Sequence, residues 1–275
     1  MALTIDSRVK LNNGVEMPLF GLGVWQTPAG ATTQRAVKAA LEAGYRSIDT
    51  AKMYGNEADV GIAVRESGLP RDEVFVTTKL WNSDHGYDSA LKAFEGSLKR
   101  LGLPTMDLYL IHWPVTGARK DTWRAMERIL KEGKARAIGV SNYMVPHLEE
   151  LLANSKVVPG VNQIELSPFL YPKDVIDFCR KNGIAVEAYS PLTKGHRLGD
   201  KRLAAVAQKY RRSVPQILIR WGLQHEIIEI PKSAKEEHIQ ENARVFDFEI
   251  RPEDMRSMDA LSEGLHVAWD PTDEP

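Results

Sequence analysis

Gly44-Tyr45-Arg46-Ser47-Ile48-Asp49-Thr50-Ala51-Lys52-Met53-Tyr54-Gly55-Asn56-Glu57 is the stretch whose reading decides the fold. It reads as a short strand, Arg46 to Asp49, then a polar turn, then a helix from about Asn56. Two titratable side chains, Asp49 and Tyr54, fall at that strand-to-helix turn. The same unit recurs in both directions along the chain.

Upstream, Arg8 to Leu11 and Val15 to Met17 flank Asn12-Asn13-Gly14 and predict a hairpin, since Asn-Gly supplies the positive φ of a tight turn. Leu19 to Gly23 reads as a buried strand. A helix over about Thr32 to Ala43 precedes the opening stretch, with Gly44 as its stop. Downstream, strands are expected at 74–79, 107–112, 135–140, 161–164, 184–188 and 227–230. The run Asp107-Leu108-Tyr109-Leu110-Ile111-His112 is continuously apolar in its middle, as a strand covered on both faces should be. Helices are expected at 57–65, 89–101 with Asp88 as cap, 122–131, 145–152, 173–181, 201–210, 214–223, 235–243 and 252–261. Eight strands alternating with helices predict an α/β fold, a closed (β/α)8 TIM barrel with an N-terminal β-hairpin and two extra helices. A doubly wound open sheet is the alternative.

The 275 residues show no linker or low-complexity run, so one domain over 1–275 is expected. Lys and Arg total 36 against 37 Asp and Glu, and no basic tract appears, which argues against nucleic acid as a partner. Cys179 is the sole cysteine, so no intrachain disulfide can form. No run of about 18 apolar residues is present, and the N-terminus lacks a signal-like core. The expectation is a cytoplasmic monomer with no membrane partner.

Polar residues stand at successive strand ends. Asp49, Lys79 and His112 are spaced by 30 and 33 residues, one βα unit each, so they share the C-terminal rim. Ser141-Asn142, Gln163, Tyr189-Ser190 and Lys232-Ser233 follow on later strands. Any one of these alone reads as a cap or a solvated side chain; their common phase points to a site. A tyrosine ionises near pKa of about 10, and a nearby ammonium would lower that value and make Tyr54 a proton donor. Asp49 would hold Lys79, and His112 would hydrogen-bond the reacting oxygen. Such a site protonates a carbonyl oxygen while the carbon gains a hydride, and a hydride implies a nicotinamide. Gly-x-Gly-x-x-Gly is missing, with Gly21-Leu22-Gly23 only a fragment, so barrel-rim side chains must hold the dinucleotide. The seven histidines show no metal-type spacing, and no metal site is expected.

These residues resemble the aldo-keto reductases along nearly the whole chain. The likeness rests on the opening stretch, Lys79-Leu80-Trp81, Leu110-Ile111-His112-Trp113-Pro114, Gly139-Val140-Ser141-Asn142, Gln163-Ile164-Glu165 and Ile230-Pro231-Lys232-Ser233. Short segments after Pro114 and Tyr189 resemble the compact bacterial branch, which includes 2,5-diketo-D-gluconate and methylglyoxal reductases. The resemblance implies a tetrad of Asp49, Tyr54, Lys79 and His112. It implies that Ser141, Asn142 and Gln163 bind the nicotinamide carboxamide and that Tyr189 stacks on the ring. Ser190, Pro191 and Leu192 would lie along the pyrophosphate, Lys232 and Ser233 would meet the 2′-phosphate, and Glu241 and Asn242 would hold adenine. The cofactor implied is NADPH. Where the family usually carries Arg, this chain has His238, so NADH use is possible: a lost charge-assisted contact costs about 1.5–3 kcal/mol. Trp25, Trp81, His112, Trp113 and Trp269 are expected around a small carbonyl substrate. A catalytically weak cofactor-binding regulatory subunit is the alternative function, and a barrel enzyme acting on phosphorylated sugars a further one. Glu229, inside the eighth strand where the family is usually apolar, has no account at this level.

Overall fold

The structure is a computed structural model and describes residues 3–272; the ends of the expected 1–275 domain, 1–2 and 273–275, lie outside the described residues. β1 (Arg8–Lys10) and β2 (Glu16–Pro18) pair antiparallel, with Val9 opposite Met17. Lys10 faces Glu16, so residues 11–15 form the connection, wider than the two-residue turn that Asn-Gly suggests. Gly14 still adopts a φ of 88°, and the amide of Leu11 donates to the carbonyl of Val15. Asn12 and Asn13 then donate to the carbonyls of Pro159 and Arg136. The hairpin therefore lies across the N-terminal ends of the barrel strands, away from the rim that carries the site.

The barrel runs β3 (Leu22–Gly23), α1 (Ala31–Glu42), β4 (Ser47–Asp49), α2 (Glu57–Glu66), β5 (Phe75–Leu80), α3 (Tyr87–Leu101), β6 (Met106–Ile111), α4 (Arg119–Lys131), β7 (Ala135–Ser141), α5 (Val145–Asn154), β8 (Val161–Glu165), α6 (Lys173–Lys181) and β9 (Ala185–Tyr189). It ends with α7 (Lys201–Tyr210), α8 (Val214–Gln224), β10 (Ile228–Glu229), α9 (Glu236–Ala243) and α10 (Pro252–Asp259). β3 to β10 form one parallel sheet in chain order. The sheet closes where the amide of Gly21 donates to the carbonyl of Glu229, and the amide of Glu229 to the carbonyl of Leu19, both at 2.9 Å. Leu19 and Phe20, expected in the first strand, thus act as its seam although regular β3 is shorter. A (β/α)8 barrel is the result, as the alternation predicts.

Each helix turns one apolar stripe inward. In α4, Trp123, Met126 and Ile129 are buried; in α6, Val175, Ile176 and Cys179 are. Two helix starts differ from expectation. α3 begins at Tyr87 after Gly86, so Asp88 lies in the first turn, where it faces the positive end of the helix dipole rather than capping it. α4 begins at Arg119, and Thr122 lies inside it, donating to Ala118 and accepting from the amide of Gly86. Among the described residues no helix is long and apolar enough to cross a membrane.

Candidate active site

Local chemistry fixes the turn that carries Tyr54. After β4, Lys52–Tyr54 forms a single helical turn that ends at Gly55, whose φ of 72° suits glycine. Asn56 locks this turn: its Oδ1 accepts from Thr50 Oγ1 at 2.7 Å, and its Nδ2 donates to the carbonyls of Val24 and Thr27. Glu57 accepts from Thr78 Oγ1 and Arg100 Nε, both at 2.6 Å, tying α2 to β5 and α3. Asn56 and Glu57 therefore build the scaffold, and Tyr54 is the residue it presents.

Asp49, at the end of β4, and Lys79, in β5, are fully buried neighbours. Lys79 Nζ donates to Asp49 Oδ1 at 2.6 Å, to the carbonyl of Thr50 at 3.0 Å and to the Tyr54 hydroxyl at 3.3 Å. Burial works against the Lys79 ammonium, but Asp49, Tyr54 and Glu187 together outweigh it and hold the pKa above its ordinary value. Lys79 is thus a fixed cation beneath the phenol.

Tyr54 departs from expectation. Burial pushes its pKa up to about 12, and the opposing pull of Lys79 is the smaller effect. The expected net lowering does not occur, because taking a phenolate out of water costs more than one neighbouring ammonium returns. His112, just beyond β6, lies edge-on to Tyr54 with ring centroids 5.7 Å apart. Burial, then Lys79, drives its pKa well below 6.5, so the imidazole is neutral. Its Nδ1 is buried without a hydrogen-bond partner. An unpaired acceptor is cheaper to bury than an unpaired N–H, so the favoured tautomer carries its proton on Nε2.

Asp49, Tyr54 and His112 face a cavity of about 810 Å³ at the C-terminal rim, with Lys79 buried behind them. Trp25, Trp81 and Trp113 line it, and so does Trp269 of the tail, although 53% exposed; the Trp269 ring centroid lies 4.6 Å from that of Trp113. Ser141, Asn142, Gln163, Tyr189, Ser190, Pro191, Leu192 and Lys232 line the same cavity. Four of them form a chain. Tyr189 donates to Asn142 Oδ1 at 2.8 Å, Asn142 Nδ2 to Ser141 Oγ at 3.1 Å, and Ser141 Oγ to the carbonyl of Gln163 at 2.8 Å. Asn142 also donates to the carbonyl of His112, which couples this row to the Tyr54 corner.

Ser233, His238, Glu241 and Asn242 lie outside the cavity wall. Ser233 is buried and accepts from the amide of Lys235, His238 is exposed in α9, Glu241 is half-buried and Asn242 is buried. Sequence reading missed two polar residues, one behind the wall and one in it. Gln163 Nε2 bridges to a buried acid, Glu187 of β9, at 2.7 Å. Lys194 also lines the cavity; its Nζ lies 4.4 Å from the Trp25 ring centre, and it donates to the carbonyl of Val267, joining two rim loops to the tail. A charged residue inside the apolar run Ala185-Val186-Glu187-Ala188 was the available signal for Glu187.

Residues 20–263 match the profile of the Aldo/keto reductase family. The chain belongs to that family. It is 52% identical over 271 residues to the glyoxal reductase of Bacillus subtilis (strain 168), covering 98% of each chain. Among solved structures it resembles MGS-M4, an aldo-keto reductase from a Medee basin deep-sea metagenome library, with a TM-score of 0.93 and 47% identity over 97% of this chain and 99% of that one. It also resembles the Bombyx mori aldo-keto reductase in complex with NADP, with a TM-score of 0.91 and 37% identity over 97% and 96% of the two chains.

Proposed function

We propose that this protein reduces small aldehydes and ketones to alcohols with NADPH. The observation that carries the reading is the Tyr54 hydroxyl 3.3 Å from the Lys79 ammonium, at a cavity shared with His112 and the polar row from Ser141 to Tyr189. The donor set suits the cofactor. Both N–H groups of Gln163 are taken by carboxyl oxygens of Asp49 and Glu187, leaving its carbonyl oxygen for a carboxamide. Lys232 lines the cavity, and partial burial lowers its pKa with no neighbouring carboxylate among the described residues to offset it, so an anion such as a phosphate suits it. Ser141, Asn142, Gln163 and Tyr189 would hold the nicotinamide end, with Lys232 and Ser233 at the adenosine phosphate. When bound, the cofactor supplies the hydride.

The chain's own groups handle the proton. Tyr54, with its pKa near 12, stays protonated at neutral pH and can donate to the substrate oxygen. An alkoxide is a stronger base than a phenolate, so transfer remains downhill despite the raised value. Lys79 stabilises the phenolate left behind, and Asp49 keeps Lys79 in place. Neutral His112 donates from Nε2 to the same oxygen and polarises the carbonyl. The tryptophan walls displace water and favour compact substrates. The likeness to a glyoxal reductase supports small dicarbonyl and aldehyde substrates. The test is oxidation of NADPH by purified protein, followed by the loss of its absorbance, with glyoxal, methylglyoxal, nitrobenzaldehyde and 2,5-diketogluconate. Turnover with at least one is expected; none with the whole panel would overturn the assignment.

A further inference from the structure

Glu187 is fully buried inside the barrel, and the proton chemistry above makes no use of it. It sits in β9 level with Gln163 of β8 and Ile228 of β10. Its Oε2 accepts from Gln163 Nε2 at 2.7 Å, and the same nitrogen donates to Asp49 Oδ2 at 2.9 Å. A side-chain amide has two N–H donors on its nitrogen and one acceptor oxygen. Here both donors are spent on carboxyl groups. Turning the amide over would set its oxygen against the Asp49 carboxylate, a lone-pair clash in a low-dielectric interior. Asp49 alone would satisfy only one N–H and leave the other buried and unpaired. Glu187 is the second acceptor that makes one orientation the sole satisfied one.

We propose that Glu187 is a positioning residue: it locks the Gln163 amide with its carbonyl oxygen as the only group left for a ligand, so that the site accepts an N–H from a carboxamide. The inference rests on the NADPH reading above. The charges around the pair are consistent with it. Asp49 of β4 and Lys79 of β5 already form an ion pair, with the Tyr54 phenol beside them. Burial, then Asp49, pushes Glu187 up to about 8. The upward shift favours the uncharged acid, which accepts through its carbonyl oxygen without setting a second full anion beside Asp49.

The experiment compares two ligands by quenching of tryptophan fluorescence. One is NADPH. The other is 2′-phospho-ADP-ribose, which keeps the adenine and phosphates and lacks the nicotinamide. Glu187→Leu is expected to weaken NADPH about 3–10-fold, the equivalent of one net hydrogen bond, and to leave 2′-phospho-ADP-ribose unchanged. Glu187→Gln, which keeps an acceptor oxygen, should restore NADPH binding. Should the leucine variant not fold, Glu187→Asp withdraws the acceptor by one methylene and should show the same selective loss. Equal weakening of both ligands would mean a merely structural role, and unchanged NADPH binding would mean none; either overturns the proposal while leaving the cofactor reading intact. Wild-type protein that binds neither ligand would instead overturn the cofactor reading and this inference with it.

Discussion

Lys79 Nζ lies 2.6 Å from Asp49 Oδ1, and neither side chain is more than 3% exposed. The attraction in such a pair is largely offset by the cost of drying both charges, so its removal is lopsided. Lys79→Met leaves Asp49 buried with only the Gln163 amide. That variant should lose about 3–5 kcal/mol in urea unfolding. Asp49→Asn added to Lys79→Met should recover part of the loss, since a neutral amide replaces the stranded carboxylate. A double variant no more stable than Lys79→Met alone would show that Asp49 carries no such penalty.

The phenol of Tyr54 is the acid in the proposed reaction, and nothing in the fold depends on its hydroxyl beyond a 3.3 Å contact. Tyr54→Phe should lower kcat about 100- to 10,000-fold, the usual worth of a positioned general acid. NADPH should still bind with unchanged Kd. With its pKa raised to about 12, Tyr54 stays protonated across neutral and mildly alkaline pH, so its titration should cause no fall in reduction there. A loss of kcat below threefold in steady-state assays would remove Tyr54 from the chemistry.

The rim was legible in the sequence because strand period and helix period together set the phase of the chain. Asp49, Lys79 and His112 recur one βα unit apart, and the structure puts all three at one corner. What was not legible depends on groups far apart in sequence. Gln163 meets Asp49 across 114 residues, and no spacing rule predicts that contact. The sign of the Tyr54 shift depends on how completely its surroundings exclude water, which a residue list does not contain. Asp88 looked like a cap, but α3 starts earlier, at a glycine with a φ of 109° that supplies no side-chain signal.

His238 is exposed in the first half of α9, at the position where the sequence resemblance leads one to expect Arg. Neutral imidazole offers one donor, while guanidinium offers a charged fork. If the adenosine 2′-phosphate lies near α9, His238→Arg should tighten NADPH about 10- to 150-fold, the range for a hydrogen bond to a charged group. NADH, which lacks that phosphate, should be unaffected. Kd values for both cofactors in the parent and the variant settle the matter. Equal changes in the two, or none, would place the phosphate elsewhere.

Glu229 has both carboxyl oxygens buried and without a partner. Its backbone closes the barrel, and its side chain fills the space above Gly222 of α8: a Cβ on Gly222 would fall 1.6 Å from Glu229 Oε1. The pair is complementary in volume but not in polarity. Burial pushes the Glu229 carboxyl well above its ordinary 4.5, so it is protonated in the fold. Below pH 4.5 both folded and unfolded chains hold this proton, and the group costs nothing through ionisation. As pH rises past that value, the unfolded carboxyl ionises and the folded one does not, so the native state loses about 1.4 kcal/mol per pH unit until the folded pKa is reached. Glu229→Met keeps the volume and removes the proton. It should be more stable than the parent at neutral pH, with a gap in urea unfolding free energy that widens between pH 5 and pH 7. Contributions from every other titrating group cancel in that difference. A gap that does not change with pH would mean that water or an unseen partner already solvates the carboxyl.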